Sequence, residues 1–186
     1  MLVAGRPKVW QCLVIGWVLT CLPALAESRK ERTERLRAEL RAAEQAADDS
    51  DGSEADNRYR NVIDELEGSG QLDLLLARAV DGLADIERRR GRLPEAEQLY
   101  LRSSVLWEEL LGPDQPRLAI TLHNLGMLYV EQARDREAEE FLGRALEIWE
   151  ARYGADSAQA RNTRRAYSRV RLRSSRSGLA DPLQAD

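Results

Sequence analysis

Residues 119–150, AITLHNLGMLYVEQARDREAEEFLGRALEIWE, decide the fold of this chain. Apolar residues recur here at intervals of three and four, the spacing that places side chains on one face of a helix. The first stripe is Leu118, Leu122, Leu125, Leu128 and Tyr129, and the second is Ala138, Phe141, Leu142, Ala145, Ile148 and Trp149. Asp135 stands between the stripes, where it predicts a cap for the second helix. The stretch is therefore predicted to form two helices joined by a short turn.

The same pattern occurs once before in the chain, so the sequence contains a repeat with a period of about 42 residues. Aligning each residue of 76–114 with its counterpart in 118–156 gives twelve identities, which include Trp107 with Trp149. Pro94 stands where the second helix of the earlier copy should begin, a position that proline favours. Trp107 and Trp149 hold equivalent positions beside apolar residues, which predicts that both belong to an inter-repeat core.

The repeats organise the rest of the chain. Adding the period once more takes Leu125 to Tyr167 and Leu128 to Val170, which predicts a C-terminal capping helix at 158–173. The predicted regions are a degenerate helix pair at 31–67, repeats at about 76–116 and 118–158 which together with the capping helix make up 71–175, and a disordered polar tail at 176–186. No stretch alternates with a period of two, so an all-α fold is expected.

The second copy resembles the tetratricopeptide repeat in its longer, kinesin-light-chain-like form. The resemblance rests on Asn124-Leu125-Gly126 followed by Leu128-Tyr129, on Glu137-Ala138-Glu139 and on Arg144-Ala145-Leu146-Glu147-Ile148-Trp149-Glu150. The first copy departs from the family pattern at Glu87, where an aromatic residue is usual, and at Ser103, where alanine is usual. The resemblance implies a short right-handed superhelical solenoid of antiparallel helix pairs, whose first helices line a concave groove that binds protein segments without catalysis.

The register of the family also implies which side chains line the groove. The predicted peptide-binding residues are Ile120, His123, Asn124, Met127, Val130, Arg165 and Arg169. The corresponding residues of the first copy are Arg78, Asp81, Asp85 and Arg88. A lysine and an asparagine grip a terminal carboxylate in some family members. Asp81 and Asp85 replace them in the first copy, and His123 and Met127 in the second, so no such carboxylate clamp is expected. Asn124 could instead make a helix-packing hydrogen bond, and His123 could be an ordinary surface residue.

Seven arginines and no acidic residue lie between Asp156 and Asp181. One interpretation is a solvated end cap, because a terminal repeat needs a polar outer face. The alternative uses Arg165 and Arg169, which with the apolar groove residues would suit an acidic-hydrophobic peptide. Two further partners stay open, a second copy of the chain and an anionic lipid or nucleic acid bound by the arginine-rich helix. The net charge of −4 argues against nucleic acid.

The composition offers little for catalysis or metal binding. His123 is the one histidine, and no serine or cysteine is placed to use it as a base. The acidic stretch 48–52 hints at a calcium loop, but Arg58 stands where that loop requires glutamate. No phosphate-binding glycine loop or hydrolase motif occurs. The sequence therefore predicts a non-catalytic protein without cofactor or metal.

The N-terminus has the layout of a secretory signal, with Arg6 and Lys8, an apolar run at 9–22, and Ala24-Leu25-Ala26. Cleavage after Ala26 is expected, which would remove both cysteines and leave 26 basic against 32 acidic residues. The alternatives are an uncleaved anchor helix and lipidation at Cys21, and only these would bring the protein to a membrane. A periplasmic location is the expectation.

Overall fold

The computed structural model describes residues 27–47, 52–69 and 73–179, so the predicted signal segment lies outside the described residues. These residues form seven α-helices and no strand. The helices are α1 Arg29–Ala46, α2 Ser53–Gly68, α3 Leu74–Arg89, α4 Leu93–Leu111, α5 Pro116–Glu131, α6 Asp135–Tyr153 and α7 Ala158–Leu179. The prediction of an all-α fold is confirmed.

The chain divides into two units, residues 1–38 and 39–186. In the first unit, the start of α1 is closed by a reciprocal cap. The backbone N–H of Ser28 donates to Glu31 Oε2 at 2.9 Å, and the backbone N–H of Glu31 donates to Ser28 Oγ at 3.2 Å. This pair satisfies two of the N–H groups that a helix start leaves without an intrahelical acceptor.

In the second unit, α2 to α7 pack in chain order, each helix against the next. α3 with α4 and α5 with α6 form the two repeats, and α7 packs on both α5 and α6. A continuous buried cluster joins the repeats and α7: Ala84, Ala96, Tyr100, Leu125, Leu128, Tyr129, Ala138, Leu142 and Val170. Trp107 and Trp149 are also buried, as the inter-repeat core prediction requires.

Small residues set how closely the two helices of a repeat approach. A Cβ atom added at Gly126 of α5 would lie 2.7 Å from Leu142 Cγ of α6, far inside normal contact distance. Ala84 holds the corresponding position in α3 and is fully buried. Fully buried Ala138 faces this contact from α6, so any larger side chain there would separate the helices.

Two helix boundaries differ from the prediction. The N-cap of α6 is Arg134, so the prediction that Asp135 caps this helix is wrong. Asp135 is instead the first helical residue and accepts a hydrogen bond of 2.7 Å from Arg173 of α7. α7 continues to Leu179, which corrects the predicted tail at residues 176–179, while residues 180–186 lie outside the described part.

The turn inside each repeat needs a left-handed residue. In the first repeat this residue is Gly91, with φ 75°, and in the second it is Ala133, with φ 58°. Glycine adopts this conformation without penalty, but alanine is strained there because its Cβ approaches the backbone. Within the described residues, Ala133 is the non-glycine residue with positive φ.

Candidate peptide-binding surface

Hydrogen bonds tie the groove positions of α3 to neighbouring helices. Asp81 Oδ1 accepts from Thr121 Oγ1 of α5 at 2.8 Å and from Ser103 Oγ of α4 at 3.1 Å. The tyrosine hydroxyl of Tyr100 in α4 donates to Asp85. These contacts engage one oxygen of each carboxylate inside the fold, so both acidic side chains stabilise the junction between helices.

The environment of this pair changes its titration. Burial, and then the nearby charge of Asp85, raises the pKa of Asp81 to about 7, against the opposing effect of its two hydroxyl donors. Burial likewise raises the pKa of Asp85, although the Tyr100 hydroxyl acts in the other direction. One carboxylate of the pair therefore changes protonation near neutral pH.

Ser103 explains a departure of the first repeat from the family pattern. Its counterpart in the second repeat is Ala145, and the counterpart of Asp81 is His123. The hydroxyl of Ser103 is therefore present in the repeat where a carboxylate needs a donor. The serine is visible in the sequence, but no local pattern links it to Asp81, which lies 22 residues earlier.

Three of the predicted groove residues meet in one hollow of ≈ 130 Å³. Its lining comprises Ile120, His123, Asn124, Trp149, Gln159, Asn162 and Thr163. His123 is half-buried, and its Nδ1 is hydrogen-bonded to Thr163 Oγ1 of α7 at 3.0 Å. Burial, and then the charge of Arg88, lowers the pKa of His123. The imidazole thus joins α5 to α7 within the hollow, and its lowered pKa favours the neutral form.

Asn124 makes the helix-packing hydrogen bond that its sequence position allowed, while its contact with a peptide backbone stays a prediction. Its amide lies 3.4 Å from Asp85 Oδ1, a long hydrogen bond to the preceding repeat. The same side chain lines the hollow beside Ile120, whose side chain is 38% exposed. Its remaining hydrogen-bonding capacity is available to a peptide backbone.

Met127 and Val130 lie apart from this hollow. Both are half-buried, and Val130 packs against the hydrophobic cluster that joins the repeats. Neither residue lines the hollow that contains His123. The structure therefore does not gather all seven predicted residues into one recess.

Arg165 and Arg169 border a second hollow, of ≈ 390 Å³, on α7. Arg161, Arg164, Arg165, Ser168 and Arg169 line it. Arg164 donates to Glu150 Oε1 at 2.5 Å and to the carbonyl of Ala155 at 3.1 Å. Within the described part of the chain, Arg165 and Arg169 make neither an ion pair nor a side-chain hydrogen bond, so their guanidinium groups face solvent.

The two hollows lie on adjoining parts of α7. Asn162 lines the smaller hollow, and Arg165 and Arg169 follow it by three and seven residues, which keeps all three on one helix face. An exposed apolar residue, a half-buried polar row and two charged groups are thereby aligned along α5 and α7. In the same row, the Thr163 hydroxyl lies 3.0 Å from His123 Nδ1, a contact that joins α7 to α5.

Glu87 is a second departure from the family pattern, and the sequence did not predict its partners. It is 1% exposed, and its carboxylate is paired with Arg60 of α2 at 2.7 Å and with Arg92. The repeat contained a signal for the contact with Arg92, because Glu87 and Arg92 align with Tyr129 and Arg134. In the second repeat the aligned residues are also in contact, with Arg134 Cζ 4.3 Å from the ring centroid of Tyr129.

The architecture is that of a helix-pair repeat protein. Residues 75–151 match the family model described as tetratricopeptide repeat. The resemblance proposed from the sequence is confirmed for this part of the chain. A search of curated proteins found no match.

Solved structures support the same fold. A variant of a putative kinesin light chain from Podosopora anserina, with nearly identical TPR-like repeats, aligns with a TM-score of 0.67 and 17% identity over 76% of this chain and 67% of that one. BtubC (BKLC) from P. vanneervenii aligns with a TM-score of 0.68 and 19% identity over 91% of this chain and 68% of that one. Both share the fold with this chain.

No helix in the described ranges is long and apolar enough to cross a membrane. Those ranges also hold no group of three or more histidine, cysteine, aspartate or glutamate side chains placed to bind a metal ion.

Proposed function

We propose that this protein is a non-catalytic interaction module that binds a segment of another protein along α5 and α7. The observation that carries the proposal is the alignment of the hollow at Ile120 and His123 with the solvent-facing guanidinium groups of Arg165 and Arg169. Tetratricopeptide repeats generally mediate contacts between proteins, and residues 75–151 match that family.

The chemistry of the surface favours a segment with a hydrophobic anchor followed by carboxylates. Ile120 offers exposed apolar surface at one end. Arginine binds carboxylates through two parallel N–H donors, which gives both affinity and orientation. Because these arginines lie at the surface, the affinity should fall as the salt concentration rises.

A peptide-display screen against the purified chain tests the proposal. We expect enriched peptides to combine acidic and large apolar residues, and their affinity, measured by fluorescence anisotropy, to be lost in Arg165→Glu/Arg169→Glu. The matched control is Arg171→Glu/Arg176→Glu, which makes the same change in charge at two exposed arginines of the same helix. Arg173 is unsuitable as a control because it is bonded to Asp135.

The outcomes separate a site from a charge effect. Equal loss in both double variants would mean that net charge and not this surface attracts the peptides. Unchanged binding in both would mean that Arg165 and Arg169 only form a solvated end cap. Circular dichroism should be the same for all variants, because each replaced side chain is exposed.

We further propose that the chain is exported and acts in the periplasm after cleavage behind Ala26. The basic, apolar and small-residue segments of residues 1–26 support this proposal. The intact mass of the protein recovered from the envelope tests it, with Glu27 expected as the first residue and no free thiol. Retention of residues 1–26, or a lipid on Cys21, would contradict it.

A further inference from the structure

The period of the repeat identifies the surface on which a second helix packs. On α5 this surface includes Ala119 and Leu122, which are fully buried, and Gly126, whose missing Cβ leaves room for Leu142 of α6. α6 packs on α5 along this face. The equivalent small position of α3, Ala84, lies in the same buried cluster as Tyr100 of α4.

α7 carries the same surface with different residues and with no described helix upon it. One period after Ala119, Leu122 and Gly126 come Arg161, Arg164 and Ser168. Arg161 and Ser168 are exposed, and the hollow of ≈ 390 Å³ lies over them. Ser168 thus holds the position of closest helix approach, with a side chain small enough to permit it.

The charge of this surface defines what can cover it. Arg161, Arg165 and Arg169 make no ion pair with any described residue, and they follow one another within about two helical turns. A helix that presented an apolar face, as α6 does to α5, would bury these guanidinium groups without a partner, at a large desolvation penalty. A helix with carboxylates at intervals of three or four residues would instead pair with them.

We propose that α7 docks an acidic helix of a partner protein, in the position that α6 takes on α5. The helix would pack a small or apolar residue against Ser168 and direct its carboxylates to Arg161, Arg165 and Arg169. This inference goes beyond the proposed function, which concerns the surface along α5 and α7. The two proposed surfaces have only Arg165 and Arg169 in common. Arg161 and Ser168 belong to the docking surface alone.

The test uses a fluorescein-labelled, lactam-stapled peptide of about 18 residues, long enough for five helical turns. It carries alanine and leucine on one face with glutamate at intervals of three and four. One control peptide has every glutamate replaced by glutamine. A second has the same composition interrupted by prolines, so that it cannot be helical. Anisotropy with the full chain is measured at low and at raised salt.

The decisive variants are Ser168→Trp, which fills the approach position without changing charge, and Ser168→Ala, which keeps it open. We expect the stapled acidic peptide to bind, Ser168→Trp and Arg161→Glu each to weaken it by about tenfold or more, and Ser168→Ala to leave it unchanged. Neither control peptide should bind comparably. Thermal unfolding should be similar for all variants, because Ser168 and Arg161 are exposed.

Several results would overturn the inference. Equal binding of the proline-interrupted peptide, or no effect of Ser168→Trp, would mean that a helix is not recognised here, while the display peptides of the proposed function could still depend on Arg165 and Arg169. Concentration-dependent dimerisation that Ser168→Trp abolishes would identify a second copy as the occupant. Binding of anionic phospholipid vesicles or inorganic phosphate without the helical peptide would identify an anion site.

Discussion

The two repeats build the same helix pair from chemically different contacts. In the first, buried Glu87 is paired with Arg92, and in the second, Tyr129 occupies the same position beneath Arg134. The arginine is shared, but the buried carboxylate beside it is replaced by an aromatic ring, and Arg134 takes its ion pairs from Glu97 and Glu137 instead, each at 2.8 Å. In both repeats the guanidinium group is therefore neutralised, and in the second it is also covered by the ring.

The same exchange occurs closer to the candidate binding surface. Asp81 and Ser103 are bonded in the first repeat, where the second has His123 and Ala145. As a result the first repeat directs its polar groups inward, whereas the second leaves Ile120, His123 and Asn124 along an open hollow. The two repeats thus differ in the exposure of their polar groups through two or three side chains, while the helices of both are alike.

The largest expected effect concerns the apolar contact of the second repeat. Leu142 is fully buried against Gly126, and Leu142→Ala should lower the free energy of unfolding by about 2–5 kcal/mol through lost contacts and a cavity. Chemical denaturation measures the change. Leu172→Ala, at a side chain that is 63% exposed, is the control and should have little effect. A small loss at Leu142 would mean that the repeat interior is loosely packed.

The ion pairs of the first repeat should contribute somewhat less. Glu87→Gln keeps the shape but removes the charge that binds Arg60 and Arg92, and should cost about 1.5–3 kcal/mol. Glu87→Tyr copies the second repeat and should be more stable than Glu87→Gln, because a ring can cover Arg92. Glu109→Gln, at an exposed site of α4, is the control. If Glu87→Tyr is the less stable variant, the two partners are not interchangeable.

A third variant tests the small position shared by both repeats. Ala138→Leu should force α5 and α6 apart and cost about 1–3 kcal/mol, because Ala138 is 0% exposed. Ala96→Leu should act similarly in the first repeat, since Ala96 is its counterpart. Thermal unfolding of each is compared with Ala151→Leu, at an exposed site of α6. An unchanged midpoint for Ala138→Leu would refute the helix register and the groove derived from it.

The last of these effects depends on pH and belongs to the first repeat. The pKa of Asp81 is about 7 in the folded chain and near 3.8 when unfolded, so folding takes up a proton between these values. The free energy of unfolding should therefore fall as pH rises from about 4 to about 7 and then level off. Asp81→Asn should reduce this slope and leave the part that comes from the raised pKa of Asp85. The exposed Asp114→Asn is the control, and a slope in Asp81→Asn equal to that of the unaltered chain would contradict the assignment.

Periodicity predicted the helices because apolar spacing is a local property. It placed Leu122, Leu125 and Trp149 correctly in the buried interior. It could not predict the pairing of Glu87 with Arg60, because that contact joins residues 27 positions apart. Apolar spacing also carries no information on which charged side chains pair. The inward hydrogen bonding of Asp81 could not be predicted for the same reason, because its bonds from Ser103 and Thr121 depend on how three helices meet.

The strained turn at Ala133 suggests how a repeat of this kind could be engineered. Its left-handed backbone, φ 58°, is the conformation that Gly91 adopts without strain at the same point of the first repeat. Ala133→Gly should relieve about 1 kcal/mol or more of that strain, less the entropy that glycine adds to the unfolded chain. A consensus cassette for longer synthetic arrays should therefore take its turn from the first repeat and its apolar helix interface from the second.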